Sequence, residues 1–277
     1  MTADYSTIST RLDEGVLTAT ISNPPCNVMT SALFRDLGRL VESVAVDEAV
    51  RVLVLESADP DFFIAHFDVE LILAMPTDTP ARREEELNIF HAMCEGLRTM
   101  PKPTIAKIAG RVGGGGNEFA SCCDMRYGVQ GRTRINQMEV PLGILPGGCG
   151  TQQLPRLIGR SRAMEVILGG DDLDAETAER WGYLNRVFAD TGAMDAFVDR
   201  LARRMALWPA ESIALAKQSV LNAELPLQDG LREEAYLFQQ SVRTGPAQRL
   251  MKAAIEAGAQ TREVELVIDE AVVALNR

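Results

Sequence analysis

The chain has 277 residues and 30.2 kDa, with 46% hydrophobic and 24% charged residues. That is enough apolar material to bury a large core without disulfide staples, and too much for a disordered chain. With 28 Lys+Arg against 39 Asp+Glu, the net charge is −11 and the pI about 4.8, which argues against coating a nucleic-acid backbone.

No apolar run approaches the ~18 residues that span a bilayer, so no membrane partner is expected. Met1-Thr2-Ala3-Asp4-Tyr5-Ser6 lacks the basic stretch and apolar core of a secretory signal. Five cysteines, two of them adjacent (Cys122 and Cys123), form no paired framework. They read as free thiols serving as small apolar side chains in a reducing, cytoplasmic compartment.

In chain order, Gly15 to Ser22 puts Leu17, Ala19 and Ile21 on one face of a strand. Ser31 to Val46 carries Leu33, Leu37, Leu40 and Val41 at helical spacing, and Val52 to Leu55 reads as a strand buried on both faces. Thr79 to Met100 is expected to be one long helix, stopped at Pro101-Lys102-Pro103. Within it, Arg82-Arg83-Glu84-Glu85-Glu86 reads as a solvated face. Thr104 to Ala109 is a strand running into a glycine turn, with a helix from Asn117 onward and a further strand over Asp124 to Val129. From Gly147 the chain turns helical: Thr151 to Ile158, Arg162 to Leu168, Asp174 to Trp181 and Met194 to Met205. Phe197, Leu201 and Met205 mark a core-facing stripe. Beyond Trp208-Pro209 two or three long helices are expected. Alternating strands and helices followed by a helical tail is an α/β pattern.

Gly113 to Gly116, between a strand and a helix, offers backbone N–H groups to a phosphate, a carboxylate or an oxyanion, or is simply a tight turn. Glu118 stands where a dinucleotide fingerprint needs glycine, and Gly116-Asn117-Glu118 replaces the Gly-Lys-Ser/Thr of a P-loop. Glu118 either complements the helix dipole from its first turn or serves as an acid/base group. Twenty-one residues on, Glu139 lies among apolar neighbours, where burial would raise its pKa. Two such carboxylates can divide acid and base roles. His66 and His91, the two histidines, fit no zinc spacing, and His91 with Cys94 three residues on reads as packing. No Gly-x-Ser-x-Gly elbow is present.

From Lys102 to Leu154 the chain resembles the crotonase (enoyl-CoA hydratase/isomerase) superfamily. The matching pieces are Lys102-Pro103, Gly110, Gly114-Gly115-Gly116-Asn117-Glu118, Cys123-Asp124, Met138-Glu139, Leu142-Gly143, Pro146-Gly147 and Gly150-Thr151-Gln152. Weaker matches fall at Asn23 to Asn27, Asp61 to Asp68 and Ala178 to Asn185, so the resemblance spans about residues 10 to 245. Three departures stand out. His66 replaces a glycine of the oxyanion loop and is expected to face outward. Val69-Glu70-Leu71 replaces a basic residue that meets CoA phosphate. The family's C-terminal Glu-Gly-x-x-Ala-Phe segment is not recognisable in Thr244 to Thr261.

The resemblance implies a crotonase-like ββα spiral core with the active site over residues 1–205, and a C-terminal helical trimerisation region over 206–277. It implies an oxyanion hole from the N–H groups of Phe67 and Gly115. Glu118 would activate water and Glu139 would exchange the α-proton. Substrate contacts fall on Cys26, Ile64, Ala65, Gly114, Leu142 and Gly147. The expected activity is hydration of a trans-2-enoyl-CoA, with no metal or other cofactor, CoA being part of the substrate, by a homotrimer or dimer of trimers. Isomerisation of an enoyl-CoA is the nearest alternative, and a non-catalytic acyl-CoA-binding or scaffold homologue the alternative of another class. Acyl-pocket walls are expected from Ile72 to Arg83 and the C-terminal helices.

Overall fold

The computed structural model describes residues 4–83 and 85–277. The N-terminal reading on Met1, Thr2 and Ala3, and Glu84 of the charged run, lie outside the described residues. The chain opens with an antiparallel hairpin, β1 (Ile8–Asp13) and β2 (Val16–Ile21), followed by α1 (Ser31–Val46). Then come β3 (Val52–Ser57), β4 (Phe62–Ile64), α2 (Val69–Leu73) and α3 (Ile89–Thr99). The next turn of chain is β5 (Thr104–Ile108), β6 (Arg111–Gly113) and α4 (Gly114–Ser121). After it come β7 (Met125–Val129), β8 (Arg134–Asn136), a 3-10 turn at Val140–Leu142, α5 (Gly150–Ile158) and α6 (Arg160–Gly169). The core closes with β9 (Leu173–Asp174), α7 (Ala175–Trp181), β10 (Arg186–Phe188) and α8 (Thr191–Leu207).

Successive two-strand units feed two sheets alternately. One sheet has the order β1-β2-β3-β5-β7-β10 and the other β4-β6-β8-β9. Both are parallel except for the pairs β1/β2 and β8/β9. From β3 to β8 each turn of chain adds one strand to each sheet and returns through helices, which is the ββα spiral that the resemblance implies.

The central strands β3 and β5 of the larger sheet are buried on both faces, as Val52 to Leu55 predicts. Leu53, Leu55, Ala106 and Ile108 pack with Leu33, Leu37 and Leu40 of α1 and with Phe119 of α4. Their neighbours Val52, Val54 and Ile105 face the opposite way, against Met194, Val198 and Ala202 of α8. These three are the fully buried residues of α8; the expected stripe Phe197, Leu201 and Met205 flanks them and is partly buried.

Helix α1 carries one buried acid. Asp36 Oδ2 accepts from the backbone N–H groups of Ser6 (2.7 Å) and Thr7 (2.9 Å) and from both hydroxyls, tying the strand β1 to the helix. Asp36→Ala leaves four donors short of one acceptor. Because hydrogen bonds to charged groups are worth about 1.5–3 kcal/mol and do not add fully, we expect a loss of roughly 3 kcal/mol in denaturant unfolding.

Three sequence expectations are corrected. The helix ending at Thr99 begins at Ile89, not near Thr79: Asn88 caps it by accepting from His91 N (2.8 Å), and the charged stretch before it has no apolar face to bury. Arg82, Arg83, Glu85 and Glu86 are exposed but not helical. The helix expected from Asn117 begins at Gly114, so Gly113 ends a strand, Gly114 to Gly116 form the first helical turn, and Glu118 falls in the second. The tail is five shorter helices, α9 (Ala210–Leu221), α10 (Leu227–Ser241), α11 (Gly245–Glu256), α12 (Arg262–Glu265) and α13 (Ile268–Leu275). Pro226 and the glycine turn at Gly258 divide them.

Candidate active site

A cavity of about 710 Å³ opens where α2, α3, the N-terminus of α4 and the segment from Met138 to Gly148 meet. Its wall is mostly apolar. Phe34, Phe67 and Phe90 pack ring on ring with centroids 5.7–6.0 Å apart, and Ile72 and Met75 continue the surface. Ile72 and Met75 belong to the segment expected to wall the acyl pocket; the C-terminal helices contribute no lining residue among those described.

Both glutamates face this cavity. Glu118 is only 3% exposed, and its Oε1 accepts from Gly148 N (2.8 Å) and Gly150 N (2.7 Å). These donors stand at the start of α5, where backbone N–H groups have no intrahelical acceptor. Burial pushes the Glu118 carboxyl up to about 7; the Gly150 and Gly148 N–H groups pull the other way, and the charge of Glu139 adds to the rise. A side chain at position 148 would meet Phe90 at 2.6 Å and Glu118 Oε2 at 2.7 Å, so the donor there must be glycine.

Glu139, 8% exposed, follows β8 and opens the 3-10 turn. Burial raises its pKa as well, while Gln137 Nε2, donating to Oε2 at 3.0 Å, and the nearby His66 offset part of the rise. Gln137 is the last member of a buried chain: Tyr183 Oη donates to Asn117 Oδ1, Asn117 Nδ2 to Gln137 Oε1, and Gln137 Nε2 to Glu139. None of the three is exposed. An ionised carboxylate can only accept, so each amide in the series is oriented by the one before it. The sequence reading missed Tyr183 and Gln137. The signal available was a pair of amides, Asn117 and Gln137, beside the two acids. Tyr183→Phe removes the first donor, and we expect a fall of about tenfold in kcat with little change in KM. Restoration of orientation by no other buried group would be checked by a shifted pH–rate profile.

The backbones of Phe67 and Gly115 pack against each other in the wall of the cavity. Phe67 bridges Met29 in parallel register, and the bonds of that bridge run from Met29 N to His66 O (2.7 Å) and from Asp68 N to Met29 O (3.3 Å). The Phe67 N–H therefore points away from Met29, while Gly115 lies in the first turn of α4, where N–H groups lack intrahelical acceptors. A Cβ on Gly115 would lie 3.4 Å from Phe67 N and 2.8 Å from its Cβ. His66 lines the cavity instead of facing outward, because its ring Nδ1 turns back to Phe67 O at 2.8 Å.

Gly114, Leu142 and Gly147 also line the cavity. Cys26, Ile64 and Ala65 do not: Ile64 is wholly buried under Gly116, and Ala65 is buried with its carbonyl against Gly113.

Two buried carboxylates with raised pKa on one apolar cavity, beside the Phe67 and Gly115 backbones, form a site suited to acid–base chemistry. The chain belongs to the enoyl-CoA hydratase/isomerase family, whose family model matches residues 11–260. A putative enoyl-CoA hydratase from Streptomyces avermitilis is similar in structure, with a TM-score of 0.70 and 35% identity, covering 98% of this chain and 99% of that one. An enoyl-CoA hydratase subunit I from Geobacillus kaustophilus superposes with a TM-score of 0.83 at 30% identity, over 92% and 97% of the two chains. The fold is thus the crotonase fold. The fatty acid oxidation complex subunit alpha of Shewanella halifaxensis is 31% identical over 219 residues, 78% of this chain and 30% of that protein. The peroxisomal bifunctional enzyme of Pongo abelii is 31% identical over 252 residues, 91% and 33% respectively. The chain therefore matches about a third of the length of these curated relatives. Among the described residues, no helix is long and apolar enough to cross a membrane.

Proposed function

We propose that the protein adds water reversibly to a trans-2-enoyl-CoA thioester. The observation that carries this reading is the pair of buried glutamates, both with raised pKa, on one cavity beside two free N–H groups. The Phe67 and Gly115 N–H groups would hold the thioester oxygen as enolate charge builds on it, each such donor being worth about 2.7–4 kcal/mol. Glu118, oriented through one oxygen by Gly148 and Gly150, would take a proton from water as the oxygen attacks the β-carbon. Glu139 would deliver a proton to the α-carbon, and the Gly147 N–H would meet the water. Addition of water transfers no electrons, so the proposal needs no redox cofactor, and CoA enters as part of the substrate.

We place the enzyme in the cytoplasm as a homotrimer or dimer of trimers sealed by the helices of residues 206–277. Leu227, Leu231 and Phe238 of α10 and Ile255 of α11 support the assembly, since all are large, apolar and exposed in the single chain.

The test is a panel of enoyl-CoA thioesters read by mass. We expect each turned-over substrate to gain one water. Conversion without a mass change would point instead to double-bond isomerisation, and release of free CoA would exclude both readings.

A further inference from the structure

Three thiols that the proposed reaction does not use converge behind Glu118. Cys94 comes from α3, Cys122 caps the C-terminus of α4, and Cys149 caps the N-terminus of α5. Their sulfurs all lie within 4.8 Å of one another, and those of Cys122 and Cys149 are 3.4 Å apart. All three are free cysteines. An ion in the plane of three sulfurs, at the usual Zn–S length of about 2.3 Å, holds them about 4 Å apart. The cluster therefore needs only small side-chain adjustments to close on a metal. Among the described residues no histidine or carboxylate joins the group. An all-sulfur donor set favours soft cations such as Zn²⁺ or Cu⁺ over Mg²⁺ or Ca²⁺.

Two independent features fit such a site. Cys149 has φ 102° and ψ −4°, between Gly148 and Gly150. Glycine would adopt that left-handed backbone without strain, yet a residue with a sulfur is held there. The second feature is Arg126, which is 4% exposed and donates to the carbonyls of Ser121, Cys123 and Tyr183. Among the described residues it has no carboxylate partner, and its guanidinium sits on the carbonyls of the two residues that flank Cys122. A buried guanidinium of this kind offsets the net negative charge that three thiolates around one cation carry.

The geometry points to a binding site for a thiophilic metal ion at Cys94, Cys122 and Cys149, whose occupation restrains the turn that orients Glu118. When Zn²⁺ binds, each sulfur gives an electron pair to the metal and each thiol proton leaves to solvent. The ion ties Cys149 to α3 and to the end of α4. Cys149 sits between the two residues whose N–H groups hold Glu118 Oε1, and the sulfurs of Cys122 and Cys149 each lie 3.4 Å from the Glu118 carbonyl oxygen. Drawing the Cys149 sulfur onto the ion pulls on the turn between those two donors, so loading the site acts on the group that orients Glu118. This coupling rests on the role proposed for Glu118; the metal site itself does not.

The test uses the full, reduced chain titrated with Cd²⁺, whose thiolate charge-transfer absorption reports sulfur ligation directly, and then with Zn²⁺. We expect the band to saturate at one ion per chain and Zn²⁺ to displace Cd²⁺. Turnover of an enoyl-CoA should fall roughly 10²-fold on loading and return with a chelator. Cys94→Ala, away from the turn, should keep metal-free turnover and lose the band; Cys122→Ser should lose the band too, while Cys26→Ser keeps it. No saturable band, or one that survives both Cys94→Ala and Cys122→Ser, would overturn the site. A saturated band with unchanged turnover would overturn the coupling. Absence of turnover in the metal-free protein would count against the proposed reaction, leaving the absorption band to judge the site.

Discussion

Glu118→Gln is expected to lower kcat for hydration by about 10²–10⁴, the usual worth of a positioned acid–base group, while the protein becomes more stable above neutral pH. The two effects share one cause. The carboxyl ionises near 7 in the folded chain against an ordinary 4.5 because burial penalises its charge. Between those values the folded state keeps a proton that the unfolded state has released. Stability therefore falls as pH rises through this window, and the full cost is in place above about pH 7. From the size of the shift that cost is roughly 3 kcal/mol. Glutamine can still accept from Gly148 and Gly150 and carries no charge. Denaturant unfolding above pH 7 should show the gain, and below pH 4.5 it should vanish. For the wild type, hydration should decline roughly tenfold per unit below about pH 7, where Glu118 takes up the proton it would otherwise accept from water. Turnover unchanged in Glu118→Gln, measured with an enoyl-CoA, would remove Glu118 from the reaction.

Gly115→Ala is the second large effect. The added methyl would lie 2.8 Å from Phe67 Cβ and 3.4 Å from Phe67 N, so the two backbone donors must separate. Alanine suits the helical backbone at this position, and helix propensity alone would favour it. The damage therefore falls on the carbonyl grip. We expect kcat to drop by about 10²–10³, with KM affected far less, because the donors matter most when negative charge has built up. Gly169→Ala is the matched control: its new methyl meets nothing within 4 Å and should leave turnover as it is.

The regular, long parts of the fold were legible in the sequence because their burial is periodic. Leu33, Leu37, Leu40 and Val41 mark α1 at its observed limits, and the unbroken Val52 to Leu55 marks a strand packed on both faces. The smaller sheet was not legible. Its strands β4, β6 and β8 have three residues each, too few to show a period, and they hold together only through neighbours distant in sequence. The site divides in the same way. Glu118, Glu139 and the glycine run could be found by motif. Tyr183 lies 66 residues from the amide it orients. Gly148 and Gly150 bind Glu118 from 30 and 32 residues away, so only the folded chain pairs them. His66 faces the cavity through one bond to the next residue's carbonyl, which residue type alone did not announce.

The three packed rings of Phe34, Phe67 and Phe90 bear on how this enzyme could be re-engineered. Phe67 lines the cavity with its side chain and, in the proposed reaction, would offer a donor from its backbone, which the edge-on contacts of its ring with the other two hold in place. Selectivity and rate are therefore entangled at one position. Trimming Phe67 to admit a bulkier acyl group would also loosen the donor, so broader scope there comes with slower turnover. Phe34 and Phe90 touch the same space without supplying a donor to the carbonyl. A programme to widen the acyl range should begin with those two rings and leave Phe67 intact.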